Sequence, residues 1–165
     1  MNLLAGLVQL TIRQYAKNDD VNIKSYYLPE DQAIYTSLPQ SVVETSLLDE
    51  SQIPFVIYSA DHLVGCFALH THQAKMYGIE NPHSLLLKSF SIDARHQKRG
   101  YALKTLQSLP ALAKQLFPDT NELVLTVHHT NIPAQQLYMK AGFEDKGMRF
   151  EGEYGEELIF HYRLA

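Results

Sequence analysis

The stretch Gln97-Lys98-Arg99-Gly100-Tyr101-Ala102 decides how this chain reads. It follows an apolar run, Leu85-Leu86-Leu87 with Phe90 and Ile92, and precedes a helix-like spacing of Leu103, Leu106, Leu109 and Leu116. A strand that turns through a glycine and two basic residues into a helix leaves several backbone N–H groups pointing outward together. The positive end of the helix dipole lies behind them, which makes an anion site suited to a diphosphate. Gly100 and Ala102 are small enough for phosphates to approach the backbone, and Lys98 and Arg99 add positive charge. Thirty residues on stands a second motif, Asn131-Ile132-Pro133-Ala134-Gln135-Gln136-Leu137-Tyr138-Met139-Lys140-Ala141-Gly142-Phe143.

Working outward, Leu7 to Tyr15 alternates in part and reads as a first strand. Residues 21–48 hold helix-compatible patches broken at Pro29 and Pro39, enough for one or two helices, with Pro29-Glu30-Asp31 as a helix start. Ile53–Ser59 and Leu63–His70 read as two strands joined at Ala60-Asp61-His62. Residues 71–83 read as an exposed loop, and Leu85–Ile92 as a fourth strand. A helix is expected from about Arg99 to Phe117, kinked or broken at Pro110, where proline removes a helical hydrogen bond. Leu123–Val127 reads as a short buried strand. A helix from Pro133 to Ala141 follows, with Asn131 as its capping candidate and Gly142 placed to end it. Two closing strands, Phe143–Phe150 and Glu157–Leu164, join through Gly152-Glu153-Tyr154-Gly155. Alternating strands and helices of this kind predict a mixed α/β domain occupying residues 1–165.

Composition narrows the function classes. The 165 residues, 45% hydrophobic and 19% charged, suit one globular unit rather than a disordered chain. A formal net charge of −4 argues against nucleic acid as the main partner. No apolar run approaches the ~20 residues that span a bilayer, and the start lacks the basic segment and cleavage site of a signal peptide. Cys66 is the one cysteine, which rules out an intramolecular disulfide and fits a reducing cytoplasm. Eight histidines raise the question of metal, yet no ligand spacing of the zinc type accompanies them, so no metal is expected.

Together the two motifs resemble the GNAT superfamily of acyl-CoA-dependent N-acyltransferases. Gln97, Gly100 and Ala102 match the first signature, and Asn131, Ala134, Leu137, Tyr138, Lys140, Gly142 and Phe143 match the second. The resemblance implies an α/β fold: a mixed, mostly antiparallel sheet of about seven strands, splayed between strands four and five and flanked by about four helices. It implies acetyl-CoA as acyl donor, anchored by Gln97, Lys98, Arg99, Gly100, Tyr101, Ala102 and Leu103. Phe90, Ser91 and Ile92 would pair with the pantetheine arm, one amide there polarising the thioester carbonyl. Asn131 and Ala134 would border the cofactor. Tyr138 is the catalytic candidate, since a phenol protonated at neutral pH can protonate the leaving thiolate.

The acceptor is less defined. Many relatives carry a carboxylate on the fourth strand just before the first motif, but here the region reads Lys88-Ser89. Glu151, Glu153, Glu156, His70 and His128 are the remaining base candidates, alongside ordered water. The layout of Pro54–Tyr58, Leu63–Gly65 and Gly152–Leu158 also looks like the bacterial diamine and spermidine acetyltransferase branch, although Lys88 would repel a polyamine. A small primary amine is the expected acceptor. A protein or peptide amine, or a CoA-binding partner protein without turnover, would use the same motifs. Dimers are common in the family, so a homodimer is among the expected assemblies.

Overall fold

Alternation along the strands sorts the two faces of the sheet. Phe55 and Ile57 pack into one apolar cluster and the intervening Val56 into another, as a side-chain period of two requires. The computed structural model describes residues 9–165, so Leu7 and Val8 of the expected first strand lie outside the described residues. The strands are β1 (Thr11–Gln14), β2 (Gln52–Ser59), β3 (His62–His70), β4 (Ser84–Ile92), β5 (Glu122–His128), β6 (Glu144–Gly152) and β7 (Gly155–Arg163). They form one sheet in the order β1-β2-β3-β4-β5-β7-β6. Among the described residues only β4 and β5 run parallel. The helices are α1 (Asp20–Ile23), α2 (Glu30–Ala33), α3 (Pro39–Ser46), α4 (Tyr101–Leu116) and α5 (Ile132–Lys140).

One face packs on α4, where Leu106, Leu109 and Ala113 meet Phe67, Leu85, Leu125 and Phe160. On the other, Ile23 and Val43 cover Val56 and Leu63, while Ala74 and Ile79 cover Leu86, Val124 and Ile159. Phe55 and Phe67 stack at 4.9 Å in the larger core.

The parallel pair is short. Its register covers Ser84↔Glu122, Leu85↔Leu123 and Leu86↔Val124 and then stops, although β4 continues to Ile92 and β5 to His128. The strands part beyond Leu86, giving the expected splay. Just past the parting, β4 carries a bulge: Ala68 pairs with Lys88 and Cys66 with Ser91, so three steps on β4 oppose two on β3. Ser89 takes up the extra residue with φ 55°. The bulge shifts the inward positions from Leu85 and Leu87 to Phe90 and Ile92, all of which face the core against α4.

Several expectations are corrected. α4 runs without interruption through Pro110. Leu106 and Leu109 before it and Ala113 after it bury in the same core, and that burial offsets the ~3 kcal/mol a mid-helix proline costs. Residues 71–83 are more than an exposed loop: Gln73–Tyr77 form a 3₁₀ turn, and Ala74 and Ile79 are buried. Pro29 caps α2 from outside, whereas Pro39 is the first residue of α3. No helix among the described residues is long and apolar enough to cross a membrane.

Candidate active site

The gap between the diverging strands opens into a cleft of about 840 Å³. Its walls hold β4 from Leu86 to Ile92, the start of α4, the inner side of α5, the end of β5 and the α2 region. Phe90, Ser91, Ile92, Gln97, Lys98, Gly100, Tyr101, Ala102, Leu103, Asn131, Ala134 and Tyr138 all line it; Arg99 does not. Residues far apart in sequence thus meet here because β4 leads directly into α4, and β5 into α5.

The turn before α4 is tied from beneath. The Asp93 carboxylate, fully buried, accepts from the backbone N–H of Tyr27 (2.9 Å) and of Arg95 (2.9 Å) and from the Arg95 guanidinium (2.7 Å). Burial alone would raise the Asp93 pKa, but these donors outweigh it and hold it below the ordinary carboxylate value. The Gln97 side-chain amide donates to the Ile92 carbonyl at 2.8 Å and to Gln32 Oε1 at 2.7 Å. The first-signature glutamine therefore braces the turn from within. Beyond it, Lys98 (φ 63°) and Gly100 (φ 82°) both adopt the left-handed region. Alternation of this kind arranges successive N–H groups into an anion-binding concavity. A Cβ built on Gly100 meets nothing within 4 Å. The space above the first turn of α4 is open, as a diphosphate requires.

Across the cleft, Asn131 caps α5 by accepting from the N–H of Ala134 (3.4 Å). Gln135 donates to the His128 and His129 carbonyls, which fixes the β5–α5 corner. Tyr138 packs edge-to-face on Phe143 at 6.0 Å. Its hydroxyl makes no hydrogen bond to the described residues, and burial raises its pKa, so it stays protonated across the physiological range.

The base candidates separate clearly. Glu151, Glu153 and Glu156 are exposed and lie off the cleft. Buried His70 accepts at Nδ1 from the N–H groups of His72 and Gln73, so Nε2 carries the proton and donates to Asp49 (2.8 Å). His128 does line the cleft, yet Nδ1 accepts from the Thr130 N–H and Nε2 donates to the Tyr154 carbonyl (2.8 Å). Two carboxylates line the cleft, neither anticipated as a base from the sequence: exposed Asp31 on α2 and half-buried Glu157 on β7. Strand alternation puts Glu157 on the face of Ile159, opposite Leu158 and Phe160. Lys88 lines the same cleft, half-buried, with Nζ donating to Gln73 Oε1 at 2.7 Å.

Residues 20–143 match the family model described as "Acetyltransferase (GNAT) family". The chain belongs to the GNAT family. It is 42% identical over 143 residues to a Bacillus subtilis (strain 168) protein named "Uncharacterized N-acetyltransferase YbbJ", covering 86% of this chain and 89% of that one. Among solved structures, the aminoglycoside acetyltransferase AAC(6')-Ib with coenzyme A and kanamycin superposes with a TM-score of 0.77 at 16% identity (94% and 95% covered). A spermidine N-acetyltransferase from Vibrio cholerae with CoA and spermine gives 0.62 at 20% identity (94% and 96% covered). These two share the fold. As a GNAT protein the chain is an acetyl-CoA-dependent N-acetyltransferase that uses an amine acceptor.

Proposed function

We propose that the acceptor is a small-molecule primary amine, acetylated by direct attack in a ternary complex within the β4–β5 cleft. The observation that carries this reading is the single cleft joining the glycine turn before α4, the bulged edge of β4, Tyr138 and Glu157. Small amines also occupy the two solved relatives, kanamycin in one and spermine in the other. Here the N–H groups from Lys98 to Leu103 hold the diphosphate, and the unpaired edge of β4 holds the pantetheine arm. An amide at the bulge donates to the carbonyl oxygen as charge develops there, where one such donor contributes roughly 3 kcal/mol.

Glu157 takes one proton from the incoming ammonium, leaving a neutral amine. As the amine nitrogen bonds to the acyl carbon, the carbon–sulfur bond breaks and the sulfur takes the phenolic proton of Tyr138. The amide nitrogen sheds its surplus proton to solvent, from which Tyr138 is reprotonated, and Glu157 releases its own. The balance is ammonium plus thioester to amide, thiol and one proton. Tyr138 is a weak acid for this task, but desolvation raises the proton affinity of a leaving thiolate as well; burial pushes the Cys66 thiol to about 11 in this protein. The free, buried Cys66 also suits action in the cytoplasm.

Thermal-shift titration with acetyl-CoA, followed by free-thiol release over a panel of small amines, tests the reading. Stabilisation and thiol release that depend on a small amine are expected. Stabilisation without release for any amine would instead favour a CoA-binding partner protein.

A further inference from the structure

Lys88 is an unusual group to find on an acceptor wall. It follows Leu86 on the face of β4 that looks away from α4, and this face continues across the splay to Thr126 and Glu157. Its ammonium donates to a neutral amide, Gln73 Oε1. Among the described residues it forms no ion pair, and Asp49, the carboxylate whose field reaches it, is already bound to His70 at 2.8 Å. Burial lowers the Lys88 pKa, which marks a cation held without adequate compensation. A half-buried ammonium of this kind gains from any anion brought beside it. Across the splay on the same sheet face stands the opposite charge: half-buried Glu157, with the Thr126 hydroxyl 3.5 Å from Oε1 and its field felt by the Tyr77 phenol. The other carboxylate of the cleft, Asp31 on α2, is exposed.

We propose that the acceptor is an amine that also carries an anionic oxygen group, carboxylate or phosphate, with Lys88 binding the anion and Glu157 the ammonium. This rests on the acetyl-transfer reading above and adds the substrate class. The arrangement also excludes: a diamine would place its second ammonium against Lys88, a like-charge contact that disfavours polyamines. Lys88 is a specificity residue here and takes no part in proton transfer.

The test holds the amine end constant and changes the other end. Thiol release is measured for butylamine, 4-aminobutyrate, 3-aminopropylphosphonate and 1,4-diaminobutane, with shorter and longer members of each series to cover the unknown span. At least one anionic series should exceed its matched alkylamines in kcat/KM by about tenfold or more, with the diamines lowest. The carboxylate and phosphonate arms tell the two anion sources apart. In Lys88→Gln the anionic advantage should shrink to about twofold or less, and Lys88→Arg should retain most of it. Acetyl-CoA alone should stabilise all three proteins equally, which shows that the variants fold. Turnover of amines with no anionic preference, or a preference that survives Lys88→Gln, overturns the assignment to Lys88 and leaves acetyl transfer standing. No thiol release from any amine overturns both.

Discussion

A methyl group placed on Gly65 of β3 would stand 2.8 Å from the carbonyl oxygen of Ser91 on β4, and 2.7 Å from the Ile92 side chain. The two strands therefore approach at the end of β4 as only glycine permits, directly beside the bulge at Ser89. Ser91 is held on its other side by the hydroxyl of half-buried Tyr26 at 2.7 Å. The backbone edge that lines the cleft is thus positioned from β3 rather than by its own sequence.

Gly65→Ala should accordingly lower stability by roughly 1–3 kcal/mol, the usual cost of overpacking. It should also weaken acetyl-CoA binding, because the backbone oxygen at Ser91 cannot retreat without moving β4. Chemical denaturation and calorimetry on the same variant check both effects. A stable Gly65→Ala protein with native affinity would show that β4 has slack here.

Gly100→Val should abolish measurable acetyl-CoA binding while the protein still folds. The space around the position is open, so the fault lies in a β-branched residue forced to φ 82° and projecting where the diphosphate must come. Calorimetric titration reads it, and unchanged affinity in the folded variant would remove the anion site from this turn.

Tyr138→Phe keeps the ring against Phe143 and removes only a hydroxyl that has no protein partner among the described residues. Stability and cofactor affinity should be retained while kcat falls by about 10²-fold or more. Single-turnover thiol release is the measurement; an unchanged rate where chemistry is limiting would reduce Tyr138 to packing.

Glu157→Gln should depress kcat/KM for amines at neutral pH and steepen the rise of activity between pH 6 and pH 9, since the amine must then lose its proton to solvent. Combined alanine substitution of Glu151, Glu153 and Glu156 should have a much smaller effect, because none of them faces the cleft. The reverse ranking would move the acceptor site to the last hairpin.

Acid stability turns on the N-terminal segment. Asp19 is held at about 2 chiefly by hydrogen bonds from Arg13 (2.7 and 2.9 Å), with burial opposing and the Ala16 N–H and Tyr58 hydroxyl assisting. A depressed carboxylate stabilises fully above its ordinary value of 3.8 and loses that contribution as pH falls towards 2. Asp19→Asn should cost roughly 1–2 kcal/mol at pH 7, discounted for the part-exposed Arg13, and should flatten the loss of stability between about pH 4 and pH 2. Urea midpoints across that range decide it.

The sequence carried much of this because its local signals are strong. Asn131 and Gly142 bracket α5 through capping chemistry, and alternation placed six of the seven strands within two or three residues. Other features depend on contacts that local pattern does not encode. The bulge was visible as a change of parity, from Leu85 and Leu87 to Phe90 and Ile92, but apolar Leu86 masks the break. Glu156 and Glu157 are adjacent acids, and only the register of β7 against β5, with Glu157 opposite His128, turns one into the cleft. Gln97 matched its motif, yet its bonds to Ile92 and Gln32 required the fold to appear. Pro110 was legible as a helix breaker, and its tolerance follows from the core on either side.

We propose that acetyl-CoA lies between the parted strands, its diphosphate on the turn before α4. Hydrogen-exchange mass spectrometry with and without acetyl-CoA reads the backbone amides involved. Protection should concentrate in residues 87–92 and 98–104, with a smaller change at 131–138. Protection elsewhere, or none at saturating acetyl-CoA, would contradict the account.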